Sequence, residues 1–409
     1  MSFFKGMVAL SLLTSSVFAA QKCTYRNANE LLSAIKVNHP SLIKKAREVE
    51  MAKLNIDAAN KLINPEVEIE GISNLDEGSH YTTSVKLMQT IELGGKRSAR
   101  VKAAKEEVGA LKSLTAYESE MLIIKIVKNL YELKHLNEVI PLYVESLDAF
   151  KRIHRKLSKR SSLSPEQQVE RETLELVISD YRLKLANLKV DRTYLKNHLG
   201  FFSGRDCEIT NSALPKKLNL NLKLAKIDSV EGLSFSKLRY AKKLTDLQVA
   251  RLEQERGQAY TNLRVGPTFE MDKEDETVKK AGVAISFDLP LFNRNGAAKA
   301  RARVALESAR FTFNKAKKEA NLDLYSWKAQ YNKYVSSLKV MANNTSLDMK
   351  HKKVESLFKR GIISTAMVIE SHRQLIEYSM TRNEFEVGAV EALWNIYNFS
   401  GELMKKEIL

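Results

Sequence analysis

Cysteine, proline and tryptophan are scarce in this 409-residue chain, at two, seven and two residues, and glycine is sparse at sixteen. Two cysteines exclude a scaffold stapled by several disulfides, and their spacing excludes a C-x-x-C metal or redox motif. So little proline and glycine excludes a linker-rich or collagenous chain and leaves room for long uninterrupted elements. Past residue 20 no apolar run approaches ~18 residues, which excludes a membrane-crossing helix; contact with a membrane core has to be made by strands. Motifs of catalysis are missing too: the sequence has no H-E-x-x-H, no phosphate loop and no G-x-S-x-G. The seven histidines (His39, His80, His135, His154, His198, His351 and His372) are scattered, with His351 and His372 on different helices. No metal site, cofactor or enzymatic activity is expected.

What is present begins with an export signal. Met1–Ala20 reads as a secretory signal peptide: Lys5, an apolar run over Val8–Leu13, then Val17-Phe18-Ala19 as the cleavage pattern. An oxidising compartment suits Cys23 and Cys207. A disulfide joining the mature N-terminus to mid-chain is the preferred reading, and two unpaired thiols are the alternative. Lys22 stands where a lipidation signal needs a small residue, which argues against a lipidated Cys23. The formal net charge is +17, but an exported chain rarely meets nucleic acid, and no nucleic-acid partner is expected. The charge is uneven: Pro65–Leu93 sums to −5 and Leu263–Leu291 to −2, leaving the excess of Lys and Arg to the remainder.

The chain is organised around Tyr81–Val108. Tyr81, Val85, Leu87, Ile91 and Leu93 alternate with Ser84, Lys86, Thr90 and Glu92 until Gly94-Gly95, where a Lys/Arg/Ala-rich helical pattern takes over. Ala281–Leu306 repeats this junction, alternating through Val283, Ile285 and Phe287, turning at Asn293–Gly296 and becoming helical. Each junction is preceded by another short strand, Pro65–Ile72 and Leu263–Met271, so each copy supplies a hairpin. Helices are expected over Asn29–Leu62, Lys96–Leu157, a return to Leu199 capped by Gly200, Ser234–Tyr260, Gly296–Lys359 and Ser364–Phe399. The two longest carry seams at spacings of three and four, the pattern of coiled-coil packing, and Pro141 is expected to kink the first. Asn64 with Asn262, Arg160 with Arg360, and Glu170 with Glu370 correspond at near-constant offset. The chain is therefore an internal duplication: a signal peptide over 1–20, a first repeat over 21–215 and a second over 216–409.

Four strands per chain, polar on one face and apolar on the other, cannot close a membrane barrel, which needs about eight or more strands and no open edge. Closure has to come from identical copies: three give twelve strands and two give eight. The resulting fold class is mainly α with a membrane β-barrel.

Four segments carry a family resemblance: Asn64–Gly71 (NPEVEIEG), Gln89–Arg97 (QTIELGGKR), Leu289–Asn295 (LPLFNRN) and Phe358–Ser364 (FKRGIIS). Together they resemble the TolC-type outer membrane efflux family, and QTIELGGKR is most similar to its CzcC-type cation-efflux branch. The resemblance implies a homotrimer, with a twelve-stranded barrel in the outer membrane of a Gram-negative bacterium and a twelve-helix α-barrel crossing the periplasm. It implies an exit duct for a tripartite pump, docked on a periplasmic adaptor and an inner-membrane RND-type transporter.

Alternation places Glu66, Glu68, Glu70, Glu92, Glu270 and Asp288 on the face away from lipid. Rings of them would favour cations; the alternative is that a water-filled lumen simply requires polar side chains. Glu170 and Glu370 lie one to two turns into the return helices, and by resemblance Glu370 matches the region of acidic residues that constrict the entrance. The breaks at the far helix ends, with Arg160 and Ser164 in one and Arg360, Gly361 and Ser364 in the other, are the expected adaptor-docking tips. Two rival readings stand beside heavy-metal efflux. One is the same duct serving drug efflux or type I secretion. The other is a periplasmic coiled-coil interaction protein whose hairpins pack on its own helices.

Overall fold

The computed structural model describes residues 23–73, 80–204, 207–222, 224, 234–273, 276–341 and 344–408. The signal peptide expected over 1–20, the tip of the first hairpin and part of the link between repeats lie outside the described residues. The element order runs twice. The first round is α1 (Ala28–Asn38), α2 (Pro40–Asn60), β1 (Glu66–Ser73), β2 (Tyr81–Glu92), α3 (Lys96–Ser158) and α4 (Pro165–Ser203). The second is α5 (Ser236–Gly257), β3 (Asn262–Lys273), β4 (Thr277–Phe287), α6 (Gly296–Val340), α7 (Asn344–Lys359) and α8 (Thr365–Ser400).

The 63 residues of α3 give a rod of about 95 Å at 1.5 Å per residue. It continues through Pro141 as one helix. Its seam is buried in two places. Ile123, Val127, Leu130 and Leu133 pack with α1, with Leu214 of the link and with Trp394 and Ile396 of α8. Nearer the C-terminal end of α3, Tyr143, Leu147, Phe150 and Leu157 pack with Leu174, Ile178 and Tyr181 of α4 and with Val368 and Ile376 of α8. No described helix is long and apolar enough to cross a membrane.

Three helix boundaries differ from the sequence expectation. The helix expected over Asn29–Leu62 is two, because His39 precedes Pro40 and takes an extended backbone (φ −60°, ψ 123°), the conformation a following proline imposes. The helix expected over Gly296–Lys359 ends at Val340, with Met341 extended, and restarts at Asn344. Met341 donates to Ser337 O as the closing residue of the first helix, and its own ψ of 138° turns the chain out of helical conformation. At the other end of the first repeat, Gly200 sits inside α4, and Gly204 takes the left-handed cap at φ +64°. Phe202, stacked 4.1 Å from the His39 ring, extends the helix past the expected stop.

The two hairpins merge into one four-stranded antiparallel sheet in the order β1-β2-β3-β4, with β2 pairing β3 across the repeats. The strand-to-helix junctions match: Gly95 precedes α3 at φ +69°, and Asn295 precedes α6 at φ +57°. At the first junction the Tyr260 ring occupies the space a Gly94 side chain would need.

Candidate functional site

The register puts even-numbered residues of all four strands on one face and odd-numbered residues on the other, since paired residues in a ladder point the same way. The odd face carries Val67, Ile69, Val85, Leu87, Ile91, Phe269, Val283, Ile285 and Phe287, between 39% and 72% exposed. A sheet that packed this face on the chain's own helices would bury it; this one leaves it open. Strands β1 and β4 are the sheet's edges.

The even face is polar but not a bare array of carboxylates. Lys86 reaches Glu68 at 2.9 Å and Glu70 at 3.6 Å. Lys280 lies 3.1 Å from Glu270 and also pairs with Asp272, which accepts from Thr82 Oγ1 at 2.6 Å. Glu66 faces Met88 across the ladder. Two of the expected lumen carboxylates sit differently from the rest. Glu92, at the end of β2, is gripped by Arg100 of α3 through two hydrogen bonds of 2.7 and 3.2 Å, with its side chain only 8% exposed. Asp288 lies one residue past β4 and pairs with Arg264 at 3.8 Å. Within the strands, Lys86, Arg264 and Lys280 stand against Glu66, Glu68, Glu70, Glu92, Glu270 and Asp272, so the face keeps an acidic excess. Sequence reasoning singled out the carboxylates but not Lys86, Lys280 or Asp272, whose roles appear only with the register.

The far helix ends form the second surface, and the shared apolar cluster of α3, α4 and α8, flanked by Phe358 and Ile363, brings both tips to one end of the molecule. Ser164 caps α4 in a reciprocal capping box with Gln167, which satisfies two otherwise orphaned donors. Ser364 occupies the same place before α8 without a side-chain cap. Gly361, at φ +72°, donates to Phe358 O while Ile362 donates to Leu357 O, a left-handed helix stop that favours glycine. The first tip leaves α3 through Lys159 in the right-handed region, so serine suffices where the second tip uses glycine. Arg160 and Arg360 are exposed, and Glu170 and Glu370 half-buried. Glu370 accepts from Arg373 and Gln374 at 2.7–2.8 Å, and these bonds hold its carboxyl down at about 2. Arg373 also reaches Glu377 at 2.6 Å. Glu370 is thus tied into a ladder along α8.

Midway along the helices, Glu386 of α8 is buried and accepts from Lys134 (3.0 and 3.1 Å), His135 (2.8 Å) and the Leu218 amide (2.7 Å). It joins α3, α8 and the link between repeats. Burial alone would raise its carboxyl; the His135 bond, the Lys134 charge and the amide outweigh that and hold it at about 2. A disulfide joins Cys23 to Cys207 beside α1.

An apolar-faced four-stranded sheet joined to long helices, the longest about 95 Å, has counterparts among solved structures. The CmeC outer membrane channel of Campylobacter jejuni superposes at TM-score 0.71 and 14% identity, covering 98% of this chain and 94% of that one. The fold is the one these channels share. The open state of the MtrE outer membrane channel of Neisseria gonorrhoeae gives 0.70 at 14% identity, with 92% and 90% covered. CusC, described for its transmembrane channel formation, gives 0.68 at 14%, with 94% and 95% covered. No protein-family model and no curated protein sequence matches the chain.

Proposed function

We propose that three copies of this chain form an outer membrane channel with no catalytic role, the exit duct of a tripartite efflux pump. The observation that carries this reading is the sheet: an exposed apolar face with two unpaired edges. In hydrocarbon an unpaired edge leaves backbone donors and acceptors unsatisfied, so β1 of one copy has to pair with β4 of the next until the ring closes. Three copies give the twelve strands that the resemblance implies. The helices support association as well. Val169, Leu176, Leu183 and Val190 form a stripe along α4 at seven-residue spacing, each about two-thirds exposed or more. A heptad stripe left bare in one chain is a seam for a neighbouring helix.

The tips carrying Arg160 and Arg360 are the docking surface for a periplasmic adaptor, which links the duct to an inner-membrane transporter of the RND type. The substrate reading is heavy-metal cation efflux. It is supported by the acidic excess of the polar face and by the resemblance of Gln89–Arg97 to the CzcC-type branch. Drug efflux and type I secretion use the same architecture and are the second reading, favoured by the extent to which Lys86 and Lys280 neutralise the carboxylates. The deciding experiment measures cell-associated zinc, cobalt, cadmium and copper in a deletion strain after metal challenge, beside a drug-susceptibility panel. Raised metal with unchanged drug tolerance supports cation efflux; unchanged metal with drug sensitivity discards it and keeps the duct.

A further inference from the structure

His351 and His372, expected on different helices and in solvated or packing roles, are brought face to face by the fold. His351 lies on α7 and His372 on α8, with ring centroids 4.4 Å apart at an interplanar angle of 81°. Both are buried, at 7% and 1% exposure. Glu355 follows His351 by one turn on the same face of α7. A nitrogen of each ring and a Glu355 carboxylate oxygen all lie within 4.8 Å of one another. Glu145 of α3 reaches within 3.7 Å of His351 Nε2, and Glu355 within 4.0 Å.

The hydrogen bonding leaves the pair ready to accept a ligand. Ser146 Oγ donates its only proton to Leu142 O at 2.7 Å, so at 2.8 Å it accepts from His372 Nδ1–H. That fixes the tautomer of a neutral His372 and puts the lone pair on Nε2. His372 Nε2 and both nitrogens of His351 are buried without a hydrogen-bond partner, and buried polar atoms are rarely left so. Arg152 is the charged neighbour of His372. An aromatic packing role accounts for the edge-on contact of His372 with Phe150 but not for three orphaned nitrogens beside two carboxylates.

We propose that His351, Glu355 and His372 form a binding site for a divalent transition-metal ion of the zinc class, with Glu145 as the fourth donor. Two imidazoles and carboxylate oxygens are the donor set such ions take. Tetrahedral bonds of about 2.0–2.1 Å place ligand atoms roughly 3.4 Å apart, so the side chains close by about an ångström around the ion. The two carboxylates offset the positive charge of Arg152. The hydroxyl of Ser146 is the outer partner that orients His372, as carbonyls and carboxylates do for ligating histidines elsewhere. The two rings are buried among helices and away from the sheet, with Glu145 on the solvent side, and the site does not depend on the chain being a channel. Because α7 begins afresh at Asn344 and ends at the Gly361 tip, the ion would pin this separate segment to α3 and α8. Its occupancy sets how firmly the second tip is held.

The test uses the full chain, purified in detergent and stripped with chelator, with Zn²⁺ and Co²⁺ as the probes. The expected result is one ion per chain, visible d–d bands of four-coordinate cobalt, and a metal-dependent rise in melting temperature. His351→Gln and His372→Gln each weaken binding at least tenfold and abolish that rise. Glu355→Gln, on a half-buried side chain, weakens it without touching the buried rings, which guards against a folding artefact. Ser146→Ala, which removes only the outer partner, weakens it about 10–100-fold, while His154→Gln leaves it unchanged. Equal metal uptake by wild type and the His351→Gln/His372→Gln double variant, or no uptake by a wild type of native helicity, overturns the proposal.

Discussion

Replacing Glu386 by glutamine removes the charge that Lys134 and His135 share inside the helix bundle, and the loss can be worked from the structure. The carboxyl is held at about 2 against an ordinary 4.5, and each unit corresponds to 1.36 kcal/mol, so the charged form contributes about 3 kcal/mol. Breaking a buried pair by removing one partner typically costs about 3–5 kcal/mol, because the other charge is stranded; Lys134 and Glu386 are 9% and 5% exposed. With an unfolding entropy of about 2.1 cal/mol/K per residue, a chain of this length melting as one unit loses roughly 4 °C. The assay is circular dichroism melting in detergent, wild type against Glu386→Gln, at pH 7 and at descending pH. The folded-state value lies below the unfolded one, so the stabilisation is complete above about 4.5 and is lost as pH falls toward 2. The gap between the two proteins therefore closes over that window. Lys134→Met with Glu386→Met recovers much of the loss, since an apolar pair strands no charge. An unchanged melting temperature for Glu386→Gln at pH 7, or a gap that widens in acid, refutes the reasoning.

Three further outcomes follow from the same structure. Val283→Arg, at the centre of β4 on the apolar face, costs about 2–4 kcal/mol in a bilayer midplane and cuts the yield of assembled protein in outer membranes. Ala284→Arg, on the opposite face, does not, and equal yields would contradict the assignment of faces. Cys23→Ser opens a loop spanning 184 residues, worth up to about 5 kcal/mol in the chain-entropy account; it lowers the melting temperature and exposes α1 to protease, whereas an unaltered digestion pattern would deny the disulfide its anchoring role. Arg160→Glu combined with Arg360→Glu leaves oligomer and sheet intact but brings efflux to the deletion level; full efflux removes the tips as the docking surface.

Much of this architecture was legible in the sequence because it rests on periodicity. Strict alternation around Val67 and Val85 gave the strands and their faces, and Gly94-Gly95 marked a junction whose backbone needs positive φ. The three-four seam through Leu130–Leu157 gave α3 to within a residue. Boundaries were missed where a local signal competed with a strong pattern. Pro40 was present but the apolar spacing continued across it, and the sequence from Val340 to Asn344 contains neither glycine nor proline to mark the break. The pairings of the polar face were out of reach for a different reason. Lys86 meets Glu68 and Glu70, and Lys280 meets Asp272, only through the inter-strand register. His351 and His372 meet only because α7 lies against α8, a contact between helices that no local sequence pattern shows.

Closure of the sheet requires copies of the same chain. Native mass spectrometry of the protein extracted from outer membranes into mild detergent tests that directly. Three chains per particle, falling to single chains in Leu176→Glu/Leu183→Glu, is the predicted result. A stable single chain, with the apolar face of Val283 and Ile285 shielded from a lipophilic label, would contradict it.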